Sequence, residues 1–176
     1  MQNSMYENLI PVANRMLDNL SVILDKGAAF AEAKKIDEAV LTGARLAPDM
    51  FPLSRQVQIA CDMVKGAAAR LGNVEIPKHE DTETTFAELK ARVAKVQVFI
   101  SSVPAANFSG SEDKAITLNM RRGDLHFNGL DYLRYFVLPN FYFHVTRPTR
   151  SCGTTAWSWA SPTFSAPDSV NSTDGK

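Results

Sequence analysis

The segment "APDMFPLSRQVQIACDMVKGAAARLGN" (residues 47–73) constrains the fold more than any other part of the chain. Its apolar residues recur every three or four positions, which is the spacing of one face of an α-helix. Gly72 and Asn73 supply a helix stop. A helix with one apolar stripe must bury that stripe against other elements, so the sequence predicts partner helices. The stripe consists of Leu53, Val57, Cys61, Val64, Ala68 and Leu71.

Two further segments repeat this spacing on either side of that helix. Pro11 lies within the first and removes one backbone donor, which predicts a kink or a late helix start. A shorter helical stretch is expected after Gly27, and Asp37 has the character of an N-cap for the next one. Thr84 or Thr85 is expected to open the second segment. The stripes are Leu9, Ala13, Met16, Leu17, Leu20 and Leu24 in the first segment, and Phe86, Leu89, Val93, Val96 and Ile100 in the second.

The segment "KAITLNMRRGDLHF" breaks the helical pattern and alternates on either side of an Arg-Gly turn, which predicts a small β-hairpin. Asn128 then caps "GLDYLRYFVLPNFYFHVT", a helix that is apolar nearly all round and is therefore expected to be central. The predicted fold is all-α: a four-helix up-and-down bundle over residues 1–146, with the hairpin before the last helix.

Composition excludes several classes of function. The 176 residues have a formal net charge of zero with scattered Lys and Arg, which argues against nucleic-acid and anionic-membrane partners. No apolar run approaches the roughly 20 residues that span a bilayer, and no secretory signal is visible. Cys61 and Cys152 are the only cysteines, so a disulfide framework is not expected and a cytoplasmic location is predicted.

Three stretches together resemble one bacterial family: "RLAPDMFPLSRQVQIACDMVKGAAARL", "EDTETTFAELKARV" and "GLDYLRYFVLPNFYFHVT". The family is the uncharacterised domain-of-unknown-function branch of the DinB/YfiT-like helical bundles, and the resemblance runs from about Tyr6 to Thr146. It implies a DinB-like bundle and, together with the apolar helices, a homodimer. Members of the wider superfamily hold a divalent metal on three histidines, and some use thiol cofactors in S-transferase or isomerase reactions.

The histidines of this chain do not reproduce that metal site. An HxxxH pair places two imidazoles on one helical face, but the position one turn before His144 is Asn140. In the second bundle helix, where another ligand is expected, the chain offers Gln58 and Asp62. His79 lies in the polar linker. We therefore expect no tightly bound cofactor, with Zn or Ni as the alternative.

Each candidate residue also has a purely structural interpretation. Asn140 and His144 are interpreted as buried polar side chains that hydrogen-bond within the bundle, and Gln58 and Asp62 as a solvated strip. Cys61 is interpreted as a small hydrophobe on the apolar stripe. His126 is interpreted as a hairpin side chain. The aromatic row is interpreted chiefly as core, although such a helix could also wall a small-molecule pocket; it consists of Tyr132, Tyr135, Phe136, Phe141 and Phe143.

Two functions remain open from the sequence. The first is a non-catalytic bundle with a degenerate site that binds a small molecule or oligomerises. The alternative is a metal- or thiol-cofactor-dependent enzyme in which His144 acts as ligand or general base. Whether the chain is an enzyme, and on what substrate, does not follow from these residues.

Residues 147–176 differ in composition from everything before them. They hold both tryptophans, Trp157 and Trp159, with many Ser, Thr and Pro residues and no apolar stripe. Codons that encode this tail also permit "AYAILRHNGVELG" in a shifted frame, which would continue the last helix to an Asn-Gly stop and resembles the usual ending of the family. We hypothesise that the tail is an aberrant, disordered frameshift product; the alternative is a genuine disordered or linker-like terminus. Sequencing the gene around the codon for Thr146 tests this, because an intact frame contradicts it.

Overall fold

The structure is a computed structural model that describes residues 4–120 and 123–148. The predicted tail lies outside these residues except for its first two positions. The elements in chain order are α1 (Met5–Lys34), α2 (Glu38–Thr42), α3 (Leu53–Leu71), α4 (Phe86–Ser102), a 3-10 turn (Ala105–Phe108), β1 (Ile116–Leu118), β2 (Leu125–Phe127), α5 (Gly129–Asp131), a π-helical segment (Tyr132–Val137) and α6 (Leu138–Thr146).

The helix starts follow from local capping chemistry. Asp37 and Asn128 accept hydrogen bonds from backbone N–H groups of α2 and α5, as predicted. Thr85 begins α4 through a capping box, in which its hydroxyl accepts from the backbone of Glu88 and the Glu88 carboxylate accepts from the backbone of Thr85. These caps fix where α2, α4 and α5 begin.

Helix α1 is longer and less interrupted than predicted. It runs through Pro11 and past Gly27, so a late start at Pro11 and the separate second helix are wrong, while the alternative of a kink at Pro11 stays a prediction. One missing backbone donor is outweighed by an apolar stripe that packs along the whole helix. Gly27 serves packing instead of ending the helix, because a Cβ atom there would lie 2.7 Å from Cε1 of Phe86.

Helix α3 lies at the centre of the fold. It packs against both α4 and α6, while α1 packs against α4. The α5, π-helical and α6 segments follow one another without a gap and form the fourth bundle helix. The prediction of a helical bundle with a hairpin before the last helix is therefore confirmed. The predicted α3 stripe is buried throughout: Leu53, Val57, Cys61, Val64, Ala68 and Leu71 are each at most 1% exposed.

The fourth bundle helix is not buried on all sides. Tyr132 and Phe141 belong to the core, but Tyr135 is 71% exposed and Phe143 is 45% exposed. The expectation that the whole aromatic row is chiefly core is thus wrong for Tyr135 and Phe143. Only one side of this helix faces α3. The π-helical turn, which the sequence analysis did not anticipate, brings the Tyr132 and Phe136 rings to a 5.9 Å stack at an interplanar angle of 18°.

The hairpin packs beside this π-helical segment. Its strands are antiparallel, and Thr117 is the register partner of His126. His126 Nδ1 lies 3.1 Å from the Thr117 hydroxyl, so it is a hairpin side chain as interpreted. Within residues 4–120 and 123–148, no helix combines the length and apolarity that crossing a membrane requires.

Candidate functional site

The four sequence candidates fall into two separate groups. Gln58 and Asp62, on α3, bind side chains of α4 and the 74–85 linker. Asn140 and His144, on α6, bind neither of them. The amide of Asn140 donates to the Phe136 carbonyl of its own helix at 2.6 Å. The cluster proposed from the sequence therefore does not form among the described residues.

His144 instead pairs with a residue that sequence reasoning missed. Its Nδ1 lies 2.6 Å from Oε1 of Gln56, a side chain that is 2% exposed. Because Gln56 Nε2 donates to the Phe51 carbonyl at 3.2 Å, the amide oxygen faces the imidazole. This network assigns the proton of neutral His144 to Nδ1 and leaves a lone pair on Nε2. Burial, followed by the charge of Arg147, lowers the pKa of His144.

Gln56 had a recognisable signal in the sequence. It lies three residues after Leu53 and one before Val57, at a core-facing position of the α3 stripe. A polar side chain at such a position requires a buried hydrogen-bond partner. His144 is that partner.

The side chains present do not fit the metal site of the resembled superfamily. No group of three or more His, Cys, Asp or Glu side chains is arranged to hold a metal ion in the described part of the chain. The histidines are separated, since His79 is in the linker, His126 in β2 and His144 in α6. Cys61 is fully buried, and that burial raises the pKa of its thiol to about 12, so it behaves as a small hydrophobe.

Gln58 and Asp62 belong to an ionic network centred on Arg92 of α4. Arg92 is 2% exposed, and its guanidinium contacts carboxylate oxygens of Asp62, Asp81 and Glu83, each at 3.0 Å. Lys65 Nζ adds a 2.7 Å contact to the same Oδ1 atom of Asp62. We call these residues, with Arg55 and Gln58, the Arg92 network.

The network contradicts the solvated-strip interpretation for Gln58. This side chain is only 5% exposed; it donates to Glu83 at 3.0 Å and accepts from Arg55 at 3.1 Å. Arg55 also pairs with Asp81. Three cations and three carboxylates therefore compensate one another, and the result is a crosslink between α3, the linker and α4.

A cleft in the linker borders this network. It has a volume of about 370 Å³. Two buried atoms here, Arg92 Nε and His79 Nδ1, have no hydrogen-bond partner among the described residues. Among the described residues that line it, Ala91 is the only one with an apolar side chain. The lining consists of Lys78, His79, Glu80, Thr82, Glu83, Glu88, Ala91, Arg92 and Lys95.

A second cleft has a different character and lies between α3, the hairpin and the π-helical segment. We call it the hairpin cleft; its volume is about 460 Å³. Aromatic, methionine and leucine side chains form most of its wall, and a few polar groups converge on it. The lining consists of Asp62, Met63, Arg70, Thr117, Leu118, Asn119, Met120, Tyr132 and Phe136.

Arg70 is the cation of the hairpin cleft. Its NH1 donates to the Tyr132 hydroxyl at 3.1 Å, and its guanidinium carbon lies 6.0 Å from the centre of the Tyr132 ring. Gly66 makes this position possible, because a Cβ atom on Gly66 would lie 2.5 Å from Arg70 NH1. In the sequence, Asp62, Gly66 and Arg70 are spaced at i, i+4 and i+8 on one helix face, a pattern that sequence reasoning overlooked.

Tyr132 is held firmly in the wall of the cleft. Its ring packs on Phe136 and on Phe127, with a centroid distance of 6.1 Å to the latter. Burial raises the pKa of its hydroxyl, and the nearby charge and hydrogen bond of Arg70 oppose that shift. The phenol therefore stays protonated at neutral pH and retains an O–H to donate.

Comparison with known proteins places this geometry in a family. The sequence profile of a domain of unknown function, DUF1993, matches residues 5–148. A crystal structure of a DinB family member from Shewanella denitrificans is 37% identical to this chain, with a TM-score of 0.78. The match covers 93% of this chain and 96% of that one. No curated protein matches. The chain therefore belongs to the DUF1993 family and has the fold of the DinB-like helical bundles.

Proposed function

We propose that this protein binds a small organic molecule in the hairpin cleft and carries no catalytic centre of its own there. The observation that carries the proposal is the lining of that cleft, which joins an apolar wall to a few polar groups. Ligand pockets of folded proteins have this composition, and their volumes run from about 300 to about 1,000 Å³. The cleft, at about 460 Å³, falls within that range.

The apolar wall of the cleft is suited to contact the flat or branched hydrocarbon part of a ligand. Phe136 is half-buried and Met120 is 49% exposed, so both present apolar surface that the bundle itself leaves uncovered. Met63 adds a flexible thioether side chain, which adapts to ligands of different shape. The hairpin register and the Phe127–Tyr132–Phe136 ring contacts fix the remaining wall.

The polar groups of the cleft are suited to recognition more than to reaction. Its lining, within the described residues, includes no histidine or cysteine. The Asp62 carboxylate is already compensated by Lys65 and Arg92. Tyr132 is a poor base at neutral pH because burial raises the pKa of its hydroxyl. The lining therefore offers, among the described residues, no imidazole or thiol that could act as a general base or nucleophile.

A ligand-observed NMR screen of aromatic and aliphatic fragments tests the proposal. We expect saturable binding that Phe136→Ala weakens by at least about tenfold, since the loss of a buried aromatic contact costs about 1.5–3 kcal/mol. Tyr135→Ala is the matched control, because Tyr135 lies on the same helix, is 71% exposed and does not line the cleft. Absence of saturable binding, or equal losses in both variants, contradicts the proposal.

One observation favours the enzyme alternative. Gln56 fixes the neutral Nδ1–H tautomer of His144, so Nε2 has the lone pair that a general base or a Zn or Ni ligand requires. This alternative predicts that the purified protein either contains one metal ion per chain or has an enzymatic activity. In either case His144→Ala should remove the metal ion or the activity. Metal analysis of the wild type and the variant separates it from the binding proposal.

A further inference from the structure

We infer that the hairpin cleft selects an organic acid, with Arg70 and the Tyr132 hydroxyl binding its carboxylate and the apolar wall contacting its hydrocarbon body. This inference rests on the proposed function and adds the chemical class of the ligand. It follows from three features of the cleft: its charge balance, its donors and its wall.

The charge balance leaves Arg70 without a counterion. No carboxylate among residues 4–120 and 123–148 lies within 4.0 Å of its guanidinium, although the side chain is half-buried. Asp62 borders the same cleft but already contacts two other cations. A partly desolvated cation that has no counterion among the described residues gains most from an anionic ligand, because the ion pair then forms away from bulk water.

The hydrogen-bond donors of Arg70 and Tyr132 lie side by side in the hairpin cleft. Arg70 uses one NH1 donor on the Tyr132 oxygen, and its planar guanidinium has further N–H groups suited to paired carboxylate oxygens. Tyr132 accepts that bond, so its own O–H is available to donate. Gly66 keeps the guanidinium folded back along α3, beside the Tyr132 hydroxyl. The two groups form a preorganised carboxylate site.

The wall explains why the ligand has an organic body and is not a simple inorganic anion. The same cleft presents Met63, Leu118 and Phe136 beyond the two donors. Small ions such as phosphate would satisfy Arg70 and leave this apolar surface in contact with water. A carboxylic acid with an aryl or alkyl substituent covers both parts of the cleft at once.

A panel of matched carboxylic acids and their primary amides, with phenyl, indolyl and alkyl bodies, tests the inference by NMR titration of the full chain. We expect the acids to bind at least about tenfold more tightly than their amides, because hydrogen bonds to charged groups contribute about 1.5–3 kcal/mol. Arg70→Met should remove this preference and leave amide binding within about twofold. Tyr132→Phe should reduce acid binding less, since the ring and the cation remain.

Arg134→Met is the matched control for charge. Arg134 is exposed on the same π-helical segment and does not line the cleft, so its loss should leave the acid preference unchanged. Equal affinities of acids and amides, with binding still sensitive to Phe136→Ala, overturn this inference and leave the proposed function standing. Failure of every acid and amide to bind, or binding insensitive to Phe136→Ala, overturns both. An acid preference that survives Arg70→Met also overturns the inference.

Discussion

Arg92 and Arg70 differ in how the fold treats their charge. Arg92 is buried and contacts three carboxylates at 3.0 Å, all from this chain. Arg70 borders an open cleft and has a phenol, not a carboxylate, as its side-chain partner. Asp62 lies between the two, since it pairs with Arg92 and also lines the cleft of Arg70. The comparison separates a cation that holds the fold together from one that is suited to hold a ligand.

The two arginines also differ in how much stability the protein should lose when each is replaced. Buried ion pairs contribute little net stability compared with apolar packing, but removing one partner leaves uncompensated charge. Arg92 has several such partners, whereas Arg70 has none among the described residues. Stability should therefore depend on Arg92, and ligand selectivity on Arg70.

Arg92→Met is expected to give the largest effect. It leaves Asp62, Asp81 and Glu83 without their shared cation, and only Glu83 among them is mostly buried, at 12% side-chain exposure. We expect the free energy of unfolding to fall by about 3 kcal/mol, the lower end of the range for a broken buried pair. Urea denaturation followed by circular dichroism measures this.

Arg70→Met is the matched control for that experiment. It should change the free energy of unfolding by less than about 1 kcal/mol, because it breaks one hydrogen bond at a half-buried site. A similar loss in both variants would show that the two arginines are structurally equivalent and would remove the basis of the comparison.

Alanine substitutions at two helical glycines should have effects of intermediate size on stability, one in the core and one beside the hairpin cleft. Gly27→Ala places a Cβ atom 2.7 Å from the Phe86 ring, which is fully packed in the core. Overpacking of this kind costs about 1–3 kcal/mol. Gly66→Ala meets only the guanidinium end of the Arg70 side chain, and alanine is favoured over glycine within a helix by about 1 kcal/mol.

Thermal or urea unfolding of both alanine variants checks this pair. Gly66→Ala should stay within about 1 kcal/mol of the wild type while weakening acid binding, because it displaces the guanidinium. If Gly66→Ala is as destabilising as Gly27→Ala, then the Arg70 side chain cannot move aside. Gly66 would then serve core packing and not ligand binding.

Asp62→Asn tests the residue that the two sites share. The substitution leaves the Lys65 ammonium, whose side chain is 7% exposed, without its carboxylate partner, so we expect the free energy of unfolding to fall by about 1–3 kcal/mol. It also removes negative charge from the hairpin cleft. The affinity for the acids should therefore rise by about two- to fivefold. NMR titration with the acid panel measures this, and a weaker affinity would contradict the placement of the ligand carboxylate beside Arg70.

The sequence predicted those features whose causes are local. The α3 stripe, the caps at Asp37, Thr85 and Asn128, and the hairpin all follow from residues within a few positions of one another. The course of α1 was predicted less well, because packing of Gly27 on Phe86 joins residues far apart in the chain.

The candidate sites depended on long-range pairing and were predicted only in part. Asp62 and Tyr132 were identified, but Gln56, Arg70 and Arg92 were not, because each acquires its meaning from a partner on another element. The homodimer, the cytoplasmic location and the frameshifted tail remain predictions. Tyr135 and Phe143 are among the exposed apolar side chains that a dimer interface would bury.

The smallest expected effect concerns pH and the Gln56–His144 pair. Burial and Arg147 lower the pKa of folded His144 below its usual 6.5, so the unfolded chain binds a proton more readily than the folded one. The free energy of unfolding should therefore be independent of this group at pH above about 7, and should fall as the pH drops below 6.5. The Gln56 amide oxygen cannot offset this, because it already accepts from Nδ1–H of the neutral ring.

His144→Gln should flatten that part of the stability profile. His79 contributes with the same sign, since burial, followed by the charges of Lys65 and Arg92, lowers its pKa, and His79→Gln measures its share. Urea unfolding between about pH 7 and pH 5.5 isolates the histidines from most carboxylate titration. A profile that stays steep in the double variant would show that His79 and His144 are not the source of the pH dependence, and would contradict this prediction.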